Sequence, residues 1–174
     1  MTLFRNRYRI ESTRLKGWDY SRPGWYFLTT VTKHRACLFG DVVNGEMVLN
    51  PLGQIVQACW DDLPNHYPTM IPDAFVIMPD HVHMVIGLMD IDESPVSEII
   101  RALKSFSSRR INALRGTPGT PIWQTRYHDR IVRDHSELNR IRRYIALNPA
   151  KWPADRNAHS HDDLLPEAGI PHAS

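Results

Sequence analysis

Two histidines stand one residue apart in the apolar run "MPDHVHMVI", residues 78–86. If this run is a strand, His81 and His83 project from one face, roughly 6–7 Å apart at Cα, where two imidazoles can converge on one ion. Val82, Met84 and Ile86 then face a core, and the histidines face solvent or a cleft. A bare pair of this kind is more often two surface histidines than half of a metal site, so chemistry requires a third ligand and a reacting group. Tyr144 and Asn148 offer both. They are four residues apart and about 40° apart around a helix. A phenol becomes a nucleophile when its proton is removed or its phenolate stabilised. The amide of Asn148 could complete a three-ligand set with His81 and His83. A metal-bound phosphodiester is a fitting electrophile for such a set. Attack on it yields a phosphotyrosine and a free 3′-hydroxyl, and the covalent link lets the strand be rejoined without ATP. Tyr127, beside His128 and Asp129, is the rival nucleophile and is read as structural or as a DNA contact. Asp80 reads as a turn residue.

The elements that must position these groups follow from periodicity and turn chemistry. "WYFLTTVTKH" (25–34) alternates and is rich in aromatic and β-branched residues, which predicts a strand. Asn44-Gly45 between short apolar runs predicts a hairpin over 42–49. Asn50-Pro51 predicts the cap and first residue of a helix reaching about Leu63. "AFVIM" (74–78) and "HVHMVIGL" (81–88), separated by Pro79-Asp80, predict an antiparallel hairpin. Ser94-Pro95 opens a long helix ending near Gly116, with Ile99, Ile100, Leu103, Phe106, Ile111 and Leu114 at helical spacing. "GTPGTP" (116–121) is a loop, and 122–134 reads as a basic strand. Ser136 is expected to cap a last helix stopped by Pro149, with Leu138, Ile141 and Ile145 as the stripe that docks it. Antiparallel strands with helices make the class α+β. The expected organisation is a basic arm over 1–22, one domain over 23–152 and a loosely ordered tail over 153–174.

The 174 residues are 42% hydrophobic and carry a net charge of +2, which fits a folded domain. No apolar run reaches the roughly 18 residues of a membrane helix. Cys37 and Cys59 lack a CxxC pattern, which argues against a disulfide scaffold and fits a cytoplasmic protein. There is no GxGxxG, P-loop or HExxH, so a nucleotide cofactor and zincin chemistry lack support. The charge is unevenly spread: +6 over residues 1–35, −10 over 36–98, +9 over 99–151 and −3 over 152–174. If the two basic segments meet, they form a phosphate-binding face. The candidate DNA contacts are Arg5, Arg7, Arg9 and Arg14 in the arm, Arg101, Lys104, Arg109 and Arg110 on the long helix, and Arg126, Arg130 and Arg133 beyond it. Trp18, Trp123 and Trp152 are candidate base stackers.

The segments "FLTTVTKHR", "MPDHVHMVI", "LKSFSSRRIN", "IWQTRYHDRIVRD" and "YIALNPAKW" resemble, in order and style, the HUH single-tyrosine transposases. The chain is most similar to their REP-associated branch in bacteria, over roughly residues 20–152. The resemblance implies an RRM- or ferredoxin-like antiparallel sheet of about four to five strands. It implies His81 and His83 as metal ligands, Tyr144 as the nucleophile and Asn148 in the place of the third ligand, where some relatives carry Gln. It implies Mg²⁺ or Mn²⁺ as the metal, and single-stranded or hairpin DNA near short palindromes as the partner. Monomer and homodimer both stay open, as do two other readings. One is a domesticated relative that binds DNA hairpins without cutting, and the other is a small metal hydrolase that activates water.

Overall fold

Strand alternation and turn residues lay the chain out as a sheet sandwiched between helices. The computed structural model describes residues 3–4, 7–8, 23–89 and 94–153. Two-residue strands β1 (Leu3–Phe4) and β2 (Arg7–Tyr8) pair with each other. Strand β3 (Gly24–Val31) is followed by a 3-10 turn, Lys33–Arg35, and by the hairpin of β4 (Gly40–Val43) and β5 (Glu46–Leu49). Helix α1 (Pro51–His66), strands β6 (Met70–Ile77) and β7 (His81–Leu88), and helix α2 (Val96–Arg115) come next. Strand β8 (His128–Val132), helix α3 (His135–Leu147) and a 3-10 turn, Pro149–Lys151, complete the order.

The main sheet has the order β6-β7-β3-β8 and every pairing in it is antiparallel. The succession β3-α1-β6-β7-α2-β8 is the β-α-β-β-α-β arrangement of ferredoxin- and RRM-like folds, so the expected α+β architecture is the one observed. Both central strands, β3 and β7, are flanked on each side by a partner. Pro72, which cannot donate to a ladder, sits on the edge strand β6, where the register shifts before Phe75.

Alternation along the strands divides the interior in two. Tyr26, Leu28, Val82, Met84 and Ile86 point to one face and pack with Val56, Leu63, Ile99, Leu103 and Ile111 of α1 and α2. Phe27 and Val85 point to the other and pack with Leu138, Ile141 and Ile145 of α3. Helix α3 is anchored further by Arg142, whose guanidinium donates to both Asp73 carboxylate oxygens at 2.7 and 2.8 Å. These bonds hold the Asp73 carboxyl below the usual carboxylate range. The same guanidinium lies 5.8 Å from the centre of the Trp25 ring. That ring lies across β7 at Gly87, where an added Cβ would fall 2.8 Å from it. Hydrogen bonds to a charged group contribute about 1.5–3 kcal/mol, less when partly exposed. Arg142→Ala is therefore expected to lower stability by about 1–2 kcal/mol, and backbone amides of α3 should exchange hydrogen faster relative to those of β7.

Local chemistry explains where the chain follows the expected elements and where it departs. Asn44 and Gly45 take φ of 52° and 76°, the left-handed pair that a two-residue hairpin turn requires. The Asn50 side chain accepts from the Gly53 N–H at 3.0 Å and caps α1 as expected. Strand β3 stops at Val31 rather than His34, because His34 and Arg35 turn the chain at φ of 57° and 53°. Helix α2 is preceded by Pro95, not Ser94, at its cap, and no side chain bonds there. Helix α3 is capped by Asp134 rather than Ser136. The Asp134 carboxylate accepts the Glu137 N–H at 2.8 Å, and the Glu137 carboxylate accepts the Arg133 N–H at 2.8 Å. The strand expected over 122–134 shrinks to its second half. Ahead of it, Lys104 donates to the carbonyls of Gln124 and Thr125 at 2.7 and 3.2 Å, holding that stretch to α2. Only Trp123 forms a bridge there, to Thr32.

Candidate functional site

His81 and His83 point to the α3 face of β7, and their rings lie 4.7 Å apart at 73°. The expected alternation is observed; the expected exposure is not. Strand β7 is buried along its whole length, and His81 and His83 are 1% and 0% exposed. Helix α3 and the residues after it cover them. The Tyr144 ring meets His83 at 5.3 Å between centroids, and Trp152 meets His81 at 6.0 Å. Phe27 stacks on His83 at 5.6 Å and takes the edge of Tyr144 at 6.3 Å. The last helix therefore brings Tyr144 to the histidine pair. Asn148 ends α3 one turn after Tyr144, with helical φ and ψ of −58° and −45°. Its backbone N–H bonds to the Ile145 carbonyl at 3.2 Å.

Each imidazole uses one nitrogen on the protein. The Asp80 carboxylate accepts the His81 Nδ1–H at 2.6 Å, and Thr29 Oγ1 lies 2.7 Å from His83 Nδ1. Both Nε2 atoms are buried without a hydrogen-bond partner among the described residues. A buried polar nitrogen left so is costly, and two side by side need an explanation. Paired imidazoles whose Nδ1 atoms are fixed from behind, with carboxylate behind one of them, have the form of metal ligands with Nε2 as donor. The donor set fits a divalent cation that accepts nitrogen, and His81 and His83 are the residues that would hold it. No cluster of three or more His, Cys, Asp or Glu side chains suited to a metal occurs among the described residues.

Asp80 is more than the turn residue its Pro-Asp context suggests. It is buried, orients His81 and faces Arg35, whose Nε lies 3.5 Å from its second oxygen. Thr32 Oγ1 clamps this corner by donating to the carbonyls of Ala36 and Asp80 at 2.8 and 3.0 Å. Thr29 carries no signal of its own in the sequence, because only the strand register reveals its place: it pairs with His83 on one side and His128 on the other. His128 thus shares the row and face of His83. Tyr127 falls on the opposite side and packs against the α1–α2 core, so it stands apart from the histidines.

Burial, reinforced by His81 and His128, holds the His83 imidazole well below its ordinary 6.5. A ring that stays neutral in the fold but protonates in the unfolded chain makes unfolding take up a proton. That contribution to stability is complete above about pH 6.5 and is lost as the pH falls below it, by up to about 1.4 kcal/mol per pH unit. Urea denaturation in chelator-containing buffer between about pH 7.5 and 5 should show this decline, and His83→Gln should flatten it.

The basic candidates separate by place. Arg5, Arg9 and Arg14, with Trp18, lie outside the described residues, and Arg7 is described only as backbone of β2. Arg101, Arg109 and Arg110 are exposed on α2. Arg109 lies over the Phe106 ring at 5.4 Å, and Arg110 donates to the Cys59 sulfur at 3.5 Å. Lys104 is turned inward onto two carbonyls, and burial lowers its pKa. Arg130 pairs at 2.9 Å with Glu137, itself 1% exposed, which ties β8 to α3. Arg126 and Arg133 are exposed. Trp123 belongs to the core, its indole N–H donating to Ser107 at 3.0 Å, so it is not placed as a stacker. No helix among the described residues is long and apolar enough to cross a membrane.

Comparison with known proteins supplies an independent line. The family model "Transposase IS200 like" matches residues 25–148. An uncharacterized protein of Haemophilus influenzae is 31% identical over 165 residues, covering 83% of this chain and 91% of that protein. A second protein of Haemophilus influenzae, named "Putative REP-associated tyrosine transposase", is 26% identical over 141 residues, covering 76% of this chain and 74% of its own. Among solved structures, a REP-associated tyrosine transposase bound to a REP hairpin superposes with a TM-score of 0.57 at 22% identity. It covers 87% of this chain and 74% of that one, and so shares the fold.

Proposed function

The chain belongs to the IS200-like transposase family, and from that premise we propose that it is a metal-dependent transposase and endonuclease of single-stranded DNA. In this reading it cuts and rejoins DNA near hairpin-forming palindromes through a 5′-phosphotyrosine on Tyr144. The observation that carries the reading is the pair of buried, unpartnered Nε2 atoms of His81 and His83, with the Tyr144 ring 5.3 Å from His83. The hairpin bound to the structural relative supports a hairpin as the form of the partner.

His81, His83 and Asn148 would hold Mg²⁺ or Mn²⁺, and a His-containing set favours Mn²⁺ over an all-oxygen preference for Mg²⁺. When bound, the cation supplies charge withdrawal at a non-bridging phosphate oxygen. Asp80 and Thr29 hold the two imidazoles in the orientation that leaves Nε2 free for this role. Phe27 packs against both the His83 and Tyr144 rings, which restricts the phenol to positions over the histidines. The Tyr144 oxygen attacks phosphorus and forms the O–P bond; the P–O3′ bond breaks. The phenol proton passes to solvent, and the departing 3′-oxygen takes one up. The reverse step, attack by a 3′-hydroxyl on the phosphotyrosine, restores a phosphodiester and frees Tyr144.

Incubation with hairpin-bearing single-stranded oligonucleotides and Mn²⁺ is expected to give a covalent protein–DNA adduct on denaturing gels, and chelator should remove it. DNA bound but never cut over a range of divalent metals would overturn the reading in favour of a hairpin-binding protein.

A further inference from the structure

One concavity lies away from the histidines. An open cleft of about 870 Å³ lies between α2 and the segment 118–127. That volume suits a drug-sized ligand, and so a nucleotide. Its floor is apolar: Ala113, Pro118, Pro121 and the half-buried Tyr127 form its accessible surface, over Ile100, Ile122 and Trp123, which are buried. Arg101 and Arg109 stand at its rim, both exposed, and neither forms a salt bridge among the described residues. No Asp or Glu lines it, and serine hydroxyls of α2 add neutral donors. Lys104 sits inside the wall and fixes the far side by holding the Gln124 and Thr125 carbonyls.

We propose that this cleft is a second DNA site, one that takes unpaired nucleotides of a single strand, with bases on the apolar floor and phosphates on Arg101 and Arg109. An apolar floor distinguishes the partner. A free phosphate has no use for it, and a duplex keeps its base faces stacked away from it; a single strand offers both base faces and phosphates. The cleft lies on the α1–α2 side of the sheet, away from Tyr144 on α3. The two sides meet at the edge strand. Tyr127 lines the cleft, and the next residue, His128, shares the row of Thr29 and His83 on the other face. A strand leaving the cleft past Tyr127 therefore rounds the edge of β8 onto the histidine face. The cleft would hold unpaired DNA flanking the hairpin while the cut takes place on the opposite face. This inference rests on the reading of DNA as the partner, and extends it to a site that the chemistry does not use.

The test is fluorescence anisotropy of the full chain with a labelled oligothymidine of about twelve nucleotides, a length within the range one single-strand site covers. Arg101→Glu with Arg109→Glu, and separately Tyr127→Ala, should each weaken binding roughly tenfold or more. The charge variant should also reduce the slope of log affinity against log salt by about 0.7 for each phosphate that is no longer neutralised. Thermal melts establish that each variant is folded, and the exposed arginine pair keeps the test valid if Tyr127→Ala is not. A strand carrying iododeoxyuridine should photo-crosslink to the tryptic peptide beginning at Tyr127. Unchanged affinity in the folded variants, or cross-links confined to α3, would overturn the inference. If cutting depends on Tyr144 but the cleft variants bind normally, this inference fails and the proposed function stands. If the cleft variants lose binding and no cutting occurs with any metal, the reverse holds.

Discussion

Tyr144→Phe is expected to abolish the covalent adduct and strand cleavage, by at least about a thousandfold, because it removes the attacking oxygen and nothing else. The phenyl ring keeps the contacts that Tyr144 makes with Phe27 and His83. Stability should therefore change by less than about 1 kcal/mol, and binding to hairpin DNA should persist. A water-activating hydrolase would retain cleavage in this variant, so the same assay separates the two chemistries. Tyr127→Phe is the internal control. Tyr127 packs on the opposite side of the sheet from the histidines, and its loss of a hydroxyl should leave the adduct in place.

The second large effect is expected at the histidine pair and is read without DNA. Mn²⁺ at a hundred times its dissociation constant stabilises a folded chain by about 2.7 kcal/mol. For a chain of this size that is a rise in Tm of about 5–10 °C. His81→Ala with His83→Ala should lose the rise entirely and lose cleavage with it. Without metal, the Tm of the variant should differ from that of the unaltered chain by much less than the rise that Mn²⁺ gives the unaltered chain. Truncation opens a cavity, which destabilises, but it also removes two buried nitrogens without partners, which stabilises. Asp80→Ala leaves both histidines in place and removes the acceptor behind His81 together with the carboxylate that faces Arg35. It should weaken Mn²⁺ binding about 10- to 100-fold, the range typical for a partner that orients a ligand. A metal response that survives in the double histidine variant would remove the cation from the account.

Much of this site is legible in the sequence because its parts obey short-range rules. His81 and His83 share a face because strand alternation has period two, and Tyr144 and Asn148 are neighbours because the helix advances about 100° per residue. Asn44-Gly45 and Asn50-Pro51 announce their turn and cap for equally local reasons. What stays hidden depends on contacts between elements. Alternation alone predicts an open histidine face, yet α3 and Trp152 cover it, and no pattern within β7 states which helix will do so. Thr29 gains its role from register with His83, fifty-four residues away. Asp80 is masked by its own context, since Pro-Asp before a strand is ordinary turn chemistry; the signal available is an acid directly preceding a histidine. The α3 cap goes to Asp134 because its carboxylate reaches the Glu137 N–H, and Ser136, two residues later, lies already inside the helix. The basic residues are the least legible. Lys104 and Arg130 read as phosphate partners by charge, but the fold turns one onto backbone carbonyls and the other onto Glu137.

In the proposed reaction the tyrosine docked on the histidine pair becomes joined to DNA in a metal-dependent step. The direct measurement is mass spectrometry of tryptic peptides from a trapped protein–DNA complex after nuclease digestion. Cleavage after Arg143 and Lys151 isolates Tyr144 in one peptide, and cleavage after Arg126 and Arg130 isolates Tyr127 in another. A nucleotide phosphate is expected on Tyr144 in the peptide 144–151, present with Mn²⁺ and absent with chelator. A nucleotide on Tyr127, or an adduct on Tyr144 that forms equally in chelator, would contradict it.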